Sequence, residues 1–244
     1  GYLDSYVGLG FFDGSGDSVD VDSELSLLFG NYGAISIPLG SNLSIQQDVF
    51  YEYGTQASSS DESEKEDMFL YSGQIGTHLS LRDVSQGLIG GFGGFGIANG
   101  DSSSANYIFA GGEAMAYLGE WTLYAQGGWF DSESNDFRYD LGLNDAWFVR
   151  GVARWFLSPD ARLQGEFAWA SGDYGFFEDS ADVLEWGVRY DWVWSDVPVV
   201  GSLVGASYRF GGNNLQEFDR VGAPLDLPNI GRWVASGTIL DGDK

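Results

Sequence analysis

The chain has 244 residues, a formal net charge of −25 and no cysteine. Its length fits one all-β domain, the missing thiols exclude disulfides and cysteine-based catalysis or metal sites, and the acidic surface excludes nucleic-acid binding. No apolar run approaches the about 20 residues of a membrane-spanning helix, and no basic, apolar leader is present, so we expect a processed chain that starts inside a strand.

Apolar and polar residues alternate with period two along most of the chain, which predicts β-strands because successive side chains point to opposite faces. Eleven strands are predicted, at 1–12, 23–39, 43–53, 68–82, 87–98, 106–118, 121–131, 145–157, 163–171, 183–194 and 198–210. Most reach the about 9–11 residues that a tilted strand needs to cross a bilayer. In the tenth strand we expect lipid to contact Trp186, Val188, Tyr190 and Trp192, and the interior to receive Glu185, Arg189 and Asp191.

The connections between these strands alternate in length. Short ones lie at 39–42, 83–86, 119–120, 158–162 and 195–198, and long acidic ones at 13–22, 54–67, 99–105, 132–144 and 172–182. Short turns at one end and long loops at the other are typical of outer-membrane barrels. Aromatic residues near strand ends, such as Tyr51, Trp121 and Trp155, fit an interfacial girdle, the alternative being ordinary core aromatics.

The alternation stops at about Gly211, where a polar, proline-containing stretch begins. We predict a barrel over 1–210 and a C-terminal tail or irregular loop over 211–244, in which 234–240 could form one closing strand. Closed single-chain barrels of this type have even strand numbers. The prediction is therefore an all-β fold with a single transmembrane antiparallel β-barrel of about twelve strands, with ten as the alternative.

Four stretches carry a resemblance to a known family: SIPLGSNLSIQQDVFYEY at 36–53, GGEAMAYLGEWTLYAQGGW at 111–129, LSPDARLQGEFAWASG at 157–172 and FDRVGAPLDLPNIGRW at 218–233. The chain resembles the porin-like outer-membrane β-barrel proteins of Gram-negative bacteria, in particular alphaproteobacterial ones. The resemblance implies an outer-membrane location, contact with lipid and lipopolysaccharide, and no enzymatic activity. Two departures affect the strand count: no final hairpin follows Phe210, and the last residue is not aromatic.

If the apolar faces contact lipid, the opposite faces line the lumen, because a charge near the bilayer midplane costs about 2–4 kcal/mol. The predicted lumen-lining residues are Asp4, Glu24, Asp48, Glu52, His78, Arg82, Glu113, Arg150, Arg154, Glu166, Glu185, Arg189, Asp191 and Arg209. Unpaired guanidinium groups are costly in a dry interior. We therefore expect Arg150 and Arg154 each to lie within reach of an inward carboxylate, with Glu166 the first candidate.

No motif predicts catalysis or a cofactor. His78 is the only imidazole, so a membrane-embedded hydrolase is the weakest hypothesis. The glycine-rich stretch 90–96 lacks the Lys-Ser/Thr ending of a phosphate loop. We expect its glycines instead to allow close strand packing or a kink. The acidic loop offers weak Ca²⁺ ligands without EF-hand spacing, namely Asp61, Glu62, Glu64, Glu66 and Asp67. A solvated loop, or divalent cations bridging the loops to lipopolysaccharide, are the alternatives.

Two functions of different classes follow. The first is a passive channel for small solutes. The long loops, together with the flanking Asp131 and Asp145, hold 19 acidic residues, and the inward faces add eight carboxylates against five arginines, so we expect a cation preference. The second is a closed structural or interaction barrel that presents its acidic loops. A plugged interior would favour the second, and a continuous wet path the first.

Overall fold

The protein is described by a computed structural model. The structure describes residues 1–16, 19–56, 68–99, 104–134, 142–174, 179–193, 199–202, 205–209 and 214–235. No helix within these ranges is both long and apolar enough to cross a bilayer.

Twelve antiparallel strands form one closed barrel, in which each strand pairs with its neighbours in sequence and β1 pairs with β12. They are β1 Tyr2–Gly16, β2 Val19–Pro38, β3 Leu43–Gln56, β4 Met68–Asp83, β5 Gly87–Asn99, β6 Ser104–Leu118, β7 Trp121–Ser134, β8 Leu143–Ser158, β9 Ala161–Tyr174, β10 Asp179–Val193, β11 Val199–Ser202 and β12 Gly205–Arg209. The predicted class and the number twelve are confirmed. The even number arises because the predicted strand 198–210 is two short strands.

The hairpins on the long-loop side extend further than the sequence predicted. The predicted loop 13–22 is wrong, since β1 and β2 stay paired up to the Gly16–Val19 pair, past an irregularity between Phe12 and Gly14. Valine and aspartate alternate over 19–22, so the period-two pattern continues through that stretch. The predicted loops 132–144 and 172–182 are likewise strand at both ends. The remaining loop centres, including the acidic cluster 61–67, lie outside the described residues.

The outer wall of the barrel is apolar. Side chains of β4 to β9 alternate between buried and exposed, and the exposed set is rich in large apolar residues. Trp186 and Val188 on β10 are 75% and 70% exposed, as predicted, whereas Asp191 is fully buried. Trp121 and Trp155 stack at 5.5 Å near the short turns, where a girdle aromatic would lie. An apolar belt of this extent is suited to lipid and not to water.

Arginine substitutions on this wall should show a depth dependence. Ile75 lies in the middle of β4 and Leu118 at the short-turn end of β6, and both side chains are exposed. Ile75→Arg is expected to lower the free energy of unfolding from lipid vesicles by about 2–4 kcal/mol, and Leu118→Arg by about 0–1 kcal/mol. Urea titrations of both variants measure this difference. Equal, small costs at both positions would contradict a lipid-facing wall.

In the part of the chain that the structure describes, the barrel wall has a gap beside β10, called the notch below. The short strands β11 and β12 contact only residues 191–193 of β10 and 2–6 of β1. Among the described residues, 179–190 and 7–16 are therefore paired on one side only. The inward Glu185 and Arg189 are correspondingly 30% and 33% exposed, against 4% for Arg150 on β8.

The C-terminal stretch is not a tail outside the barrel. Residues 214–235, called the plug segment below, contain α1 Leu215–Val221 and α2 Ile230–Val234 and lie inside the barrel. Asparagine side chains cap both helices, and Gly222 ends the first. The predicted closing strand 234–240 is wrong at its start, because Val234 ends α2, and its remainder from 236 lies outside the described residues.

Candidate functional site

The plug segment closes the lumen at the short-turn end with α1. The backbone N–H of Gln216 donates to the carbonyl of Pro159 at 3.1 Å, and the Arg220 guanidinium donates to the carbonyl of Gly119 at 2.6 Å. These carbonyls belong to the β8–β9 and β6–β7 turns. Leu215 is 1% exposed beneath them. The first helix is thus attached to the barrel rim.

Two arginines of β8 bind carboxylates of the plug segment. Arg150 holds Asp226 through two hydrogen bonds of 2.9 and 3.1 Å, and its Nε donates to Glu166 at 2.7 Å. Arg154 donates to Asp219 at 2.7 Å. The expected pairing of both arginines is confirmed, including Glu166 for Arg150. The partner of Arg154 comes from the stretch that the sequence predicted as a tail.

His78 lies at the centre of the lumen between two carboxylates. Its Nε2 is 2.7 Å from Asp48 and its Nδ1 is 2.9 Å from Glu113, and the residue is fully buried. Tyr32 and Tyr124 donate to the same two carboxylates. Where both carboxylates are ionised they can only accept, so both ring nitrogens then donate and the ring carries a positive charge. Neither nitrogen is then available as a general base.

Arg232 of α2 binds carboxylates on two strands that are not neighbours in the barrel. It lies 2.6 Å from Glu52 on β3 and 2.5 Å from Glu185 on β10. Glu52 also accepts from the hydroxyl of Tyr6. Next to it, the indole N–H of Trp233 donates to Glu185 at 3.2 Å. Because Glu185 lines the notch, this ion triad is partly accessible, with 20% of the Arg232 side chain and 30% of the Glu185 side chain exposed.

The other predicted lumen residues form a second charged group near the short-turn end. Asp191 accepts from Arg189 at 2.5 Å and from Arg162 at 2.8 Å, and Arg189 also reaches Asp4 at 3.4 Å. Arg162 was missed, because the sequence placed it in a turn whereas β9 already begins at Ala161. The Arg209 guanidinium stacks about 5 Å from two aromatic rings. Predicted Glu24 lies in β2, but its side chain is outside the described part.

The interior is close to electrically neutral. Its described carboxylates, counted like the arginines up to the rim, number ten, namely Asp4, Asp48, Glu52, Glu113, Glu166, Glu185, Asp191, Glu217, Asp219 and Asp226. Against them lie His78 and eight arginines, Arg82, Arg150, Arg154, Arg162, Arg189, Arg209, Arg220 and Arg232. Among the described residues, the expected excess of inward carboxylates is therefore small. The three arginines that the sequence missed supply the difference.

One cavity of about 40 Å³ lies between Asp4, Arg189, Arg209, Phe218 and Asp226, which is room for a few water molecules. Among the described residues no group of three or more acidic or histidine side chains could hold a metal ion. The weak Ca²⁺ ligands of the acidic loop lie outside these residues.

No protein-family model matches the chain, and no curated protein matches it. Among solved structures, the chain is similar to OmpF of Salmonella typhi in complex with daunomycin, with a TM-score of 0.34 and 10% sequence identity. The alignment covers 86% of this chain and 97% of that chain. A similarity this weak supports no statement about function, which must rest on the geometry of the lumen.

Proposed function

We propose that the protein is a porin-like outer-membrane β-barrel of a Gram-negative bacterium, in which small solutes pass when the plug segment leaves the lumen. The observation that carries this proposal is how the plug segment is held. Its contacts to the wall include ion pairs and hydrogen bonds to charged or amide side chains, beside apolar packing of Leu227, Ile230 and Trp233 against Phe130 and Phe148. The charged and amide groups of the wall can bind water once the plug segment vacates them.

Cation preference is part of the proposal, and it rests on the channel mouth. Because most charged side chains in the interior are paired, they contribute little net electric field in the lumen. The protein's charge of −25 must then reside almost entirely outside the lumen. An acidic mouth concentrates cations, and salt weakens the effect as the Debye length falls to about 3 Å at 1 M.

A closed structural barrel is the second candidate, and one observation favours it. At the level of His78 the inward side chains are almost inaccessible, with Gln46 at 1% and Asp48 at 2% exposure. The plug segment in place leaves no room there for a solute. In this reading the segment never leaves, and the acidic loops alone carry a function at the surface.

Recordings in planar bilayers separate the two candidates. Arg232→Gln removes the ion triad beside the notch, and the proposal expects it to raise the open probability about tenfold, which corresponds to about 1.4 kcal/mol. The matched control is Arg220→Gln, which removes a plug-segment arginine that donates only to a turn carbonyl. Reversal potentials under a KCl gradient should show that the channel prefers cations. If neither the native protein nor Arg232→Gln conducts, the structural barrel is the better proposal.

A further inference from the structure

The wall of the lumen contacts the main chain of the plug segment and not only its side chains. Three glutamines on three strands each donate an amide N–H to a plug-segment carbonyl: Gln46 to Leu225 at 2.7 Å, Gln74 to Pro228 at 2.9 Å and Gln126 to Asp226 at 2.9 Å. Two further main-chain groups of the same stretch are bound by Arg82, which donates to the carbonyl of Gly222, and by Tyr32, which accepts from the N–H of Leu227.

These contacts lie on the part of the plug segment that has no helix. Residues 222–229 run between α1 and α2 without regular secondary structure, and two prolines keep the chain from continuing as a helix. Such a chain exposes its carbonyls to the wall at intervals. Main-chain groups are common to all polypeptides, so donors aimed at them do not depend on the sequence that is bound.

The wall also provides places for particular side chains. Arg150 donates to a carboxylate at position 226, and Glu52 accepts from a guanidinium six residues later. Gly76 leaves space for an aliphatic side chain, because a methyl group there would overlap Leu227. Tyr124 and Val152 pack with Leu225 in a buried apolar cluster.

We infer that the lumen is a binding site for an extended polypeptide, and that peptides with an acidic and, about six residues on, a basic side chain are its preferred solutes. This inference rests on the proposed channel and names its solute class. The plug segment occupies the site in the manner of such a peptide. When it leaves, the amides and arginines that it occupied can bind other partners in its place. A second polypeptide segment supplies the same carbonyls and charges.

The probe is a synthetic peptide with the sequence of residues 222–232, GAPLDLPNIGR. It is added to the full-length Arg232→Gln protein, in which the plug segment is weakened. Binding is followed in two ways: by block of the single-channel current in bilayers, and by fluorescence anisotropy of the labelled peptide with the detergent-solubilised protein. We expect saturable binding and block. A peptide in which arginine replaces the aspartate should bind at least tenfold more weakly.

Variants of the wall test the main-chain contacts. Gln74→Leu in the Arg232→Gln background is expected to weaken peptide binding about tenfold. Gln47→Leu is the matched control, because Gln47 is exposed on the outer face, where it bonds Thr77, and it should leave binding unchanged. Equal effects of the two substitutions, or equal block by polyethylene glycol of the same mass, would overturn the peptide site.

The two readouts separate the failure of this inference from that of the proposed function. A conducting barrel that binds no peptide refutes the site and leaves the channel standing. Saturable, charge-dependent peptide binding to a barrel that conducts nothing upholds the site and refutes the channel. Absence of both current and binding refutes both.

Discussion

Substitution of Arg150 by methionine is expected to lower the free energy of unfolding by about 3–5 kcal/mol, because it leaves two carboxylates without their buried partner. Arg150 is 4% exposed and lies between Asp226 of the plug segment and Glu166 of β9. The matched control is Arg189→Met. Arg189 also bridges two carboxylates, but its side chain is 33% exposed, and solvent screening should limit the loss to about 1 kcal/mol.

A second substitution distinguishes a lost ion pair from lost packing. In Arg150→Met combined with Asp226→Leu, both members of the plug contact are apolar, and most of the lost stability should return, since well-packed apolar replacements of buried pairs are often neutral or stabilising. Glu166 keeps access to water, with 28% of its side chain exposed. Urea titrations of the refolded barrel measure all four proteins. Equal losses of unfolding free energy in Arg150→Met and Arg189→Met would refute a stabilising role specific to the buried ion pairs of Arg150.

The wall of the barrel could be predicted from the sequence because its cause is local. One side of each strand contacts lipid and the other the lumen, so polarity alternates residue by residue. The alternation of β8 therefore predicted that the apolar side chain of Val149 is exposed on the outer face and that Arg150 points into the lumen. The last predicted strand concealed two paired strands, since only two residues separate β11 from β12 in the sequence, too few to interrupt the pattern noticeably.

The plug segment could not be predicted in the same way, because its position depends on space and not on periodicity. A barrel of twelve strands is wider than one of eight, whose interior side chains just fill it. That lumen can therefore accept an added segment. Some local signals were present: Asn214 and Asn229 act as helix caps, and Leu225, Leu227 and Trp233 are apolar residues in a polar stretch. These residues indicate that the stretch is buried, but they do not indicate which surface of the barrel it packs against.

The distribution of charge follows from this arrangement. Of the chain's eleven basic residues, eight arginines lie in the interior or at its rim, where aspartates and glutamates pair with most of them. Arginine suits this role because its planar guanidinium binds carboxylates in a fixed geometry. The sequence could show that the chain is acidic, but not that most of its basic side chains lie in the barrel interior and pair with carboxylates there. Ion selectivity is therefore expected to depend on the loops, and neutralising an interior carboxylate should change stability more than selectivity.

The contacts of the plug segment with β4 show which ends of the lumen its described residues reach. Gly222 contacts Arg82, next to the β4–β5 turn, Pro228 contacts Gln74, and Gly231 lies against Ser72. Ten residues of β4 separate the first and last of these wall positions. At about 3.3 Å per residue and a tilt of about 35–45°, they span about 25 Å, the height of the apolar band. The segment thus enters at the short turns and ends at the long-loop side.

A cysteine introduced at Ser236, the first residue after the plug segment, is therefore expected to react from the long-loop side. The chain has no cysteine, so each single-cysteine variant carries one reactive thiol. In intact cells, a membrane-impermeant maleimide should label Ser236→Cys and Glu133→Cys, which lies near the long-loop end of β7, to a similar extent. Asp160→Cys, in the exposed β8–β9 turn, should react only after the outer membrane is permeabilised. Protection of Ser236→Cys to the level of Asp160→Cys would contradict a plug segment that crosses the lumen, whether or not the barrel conducts.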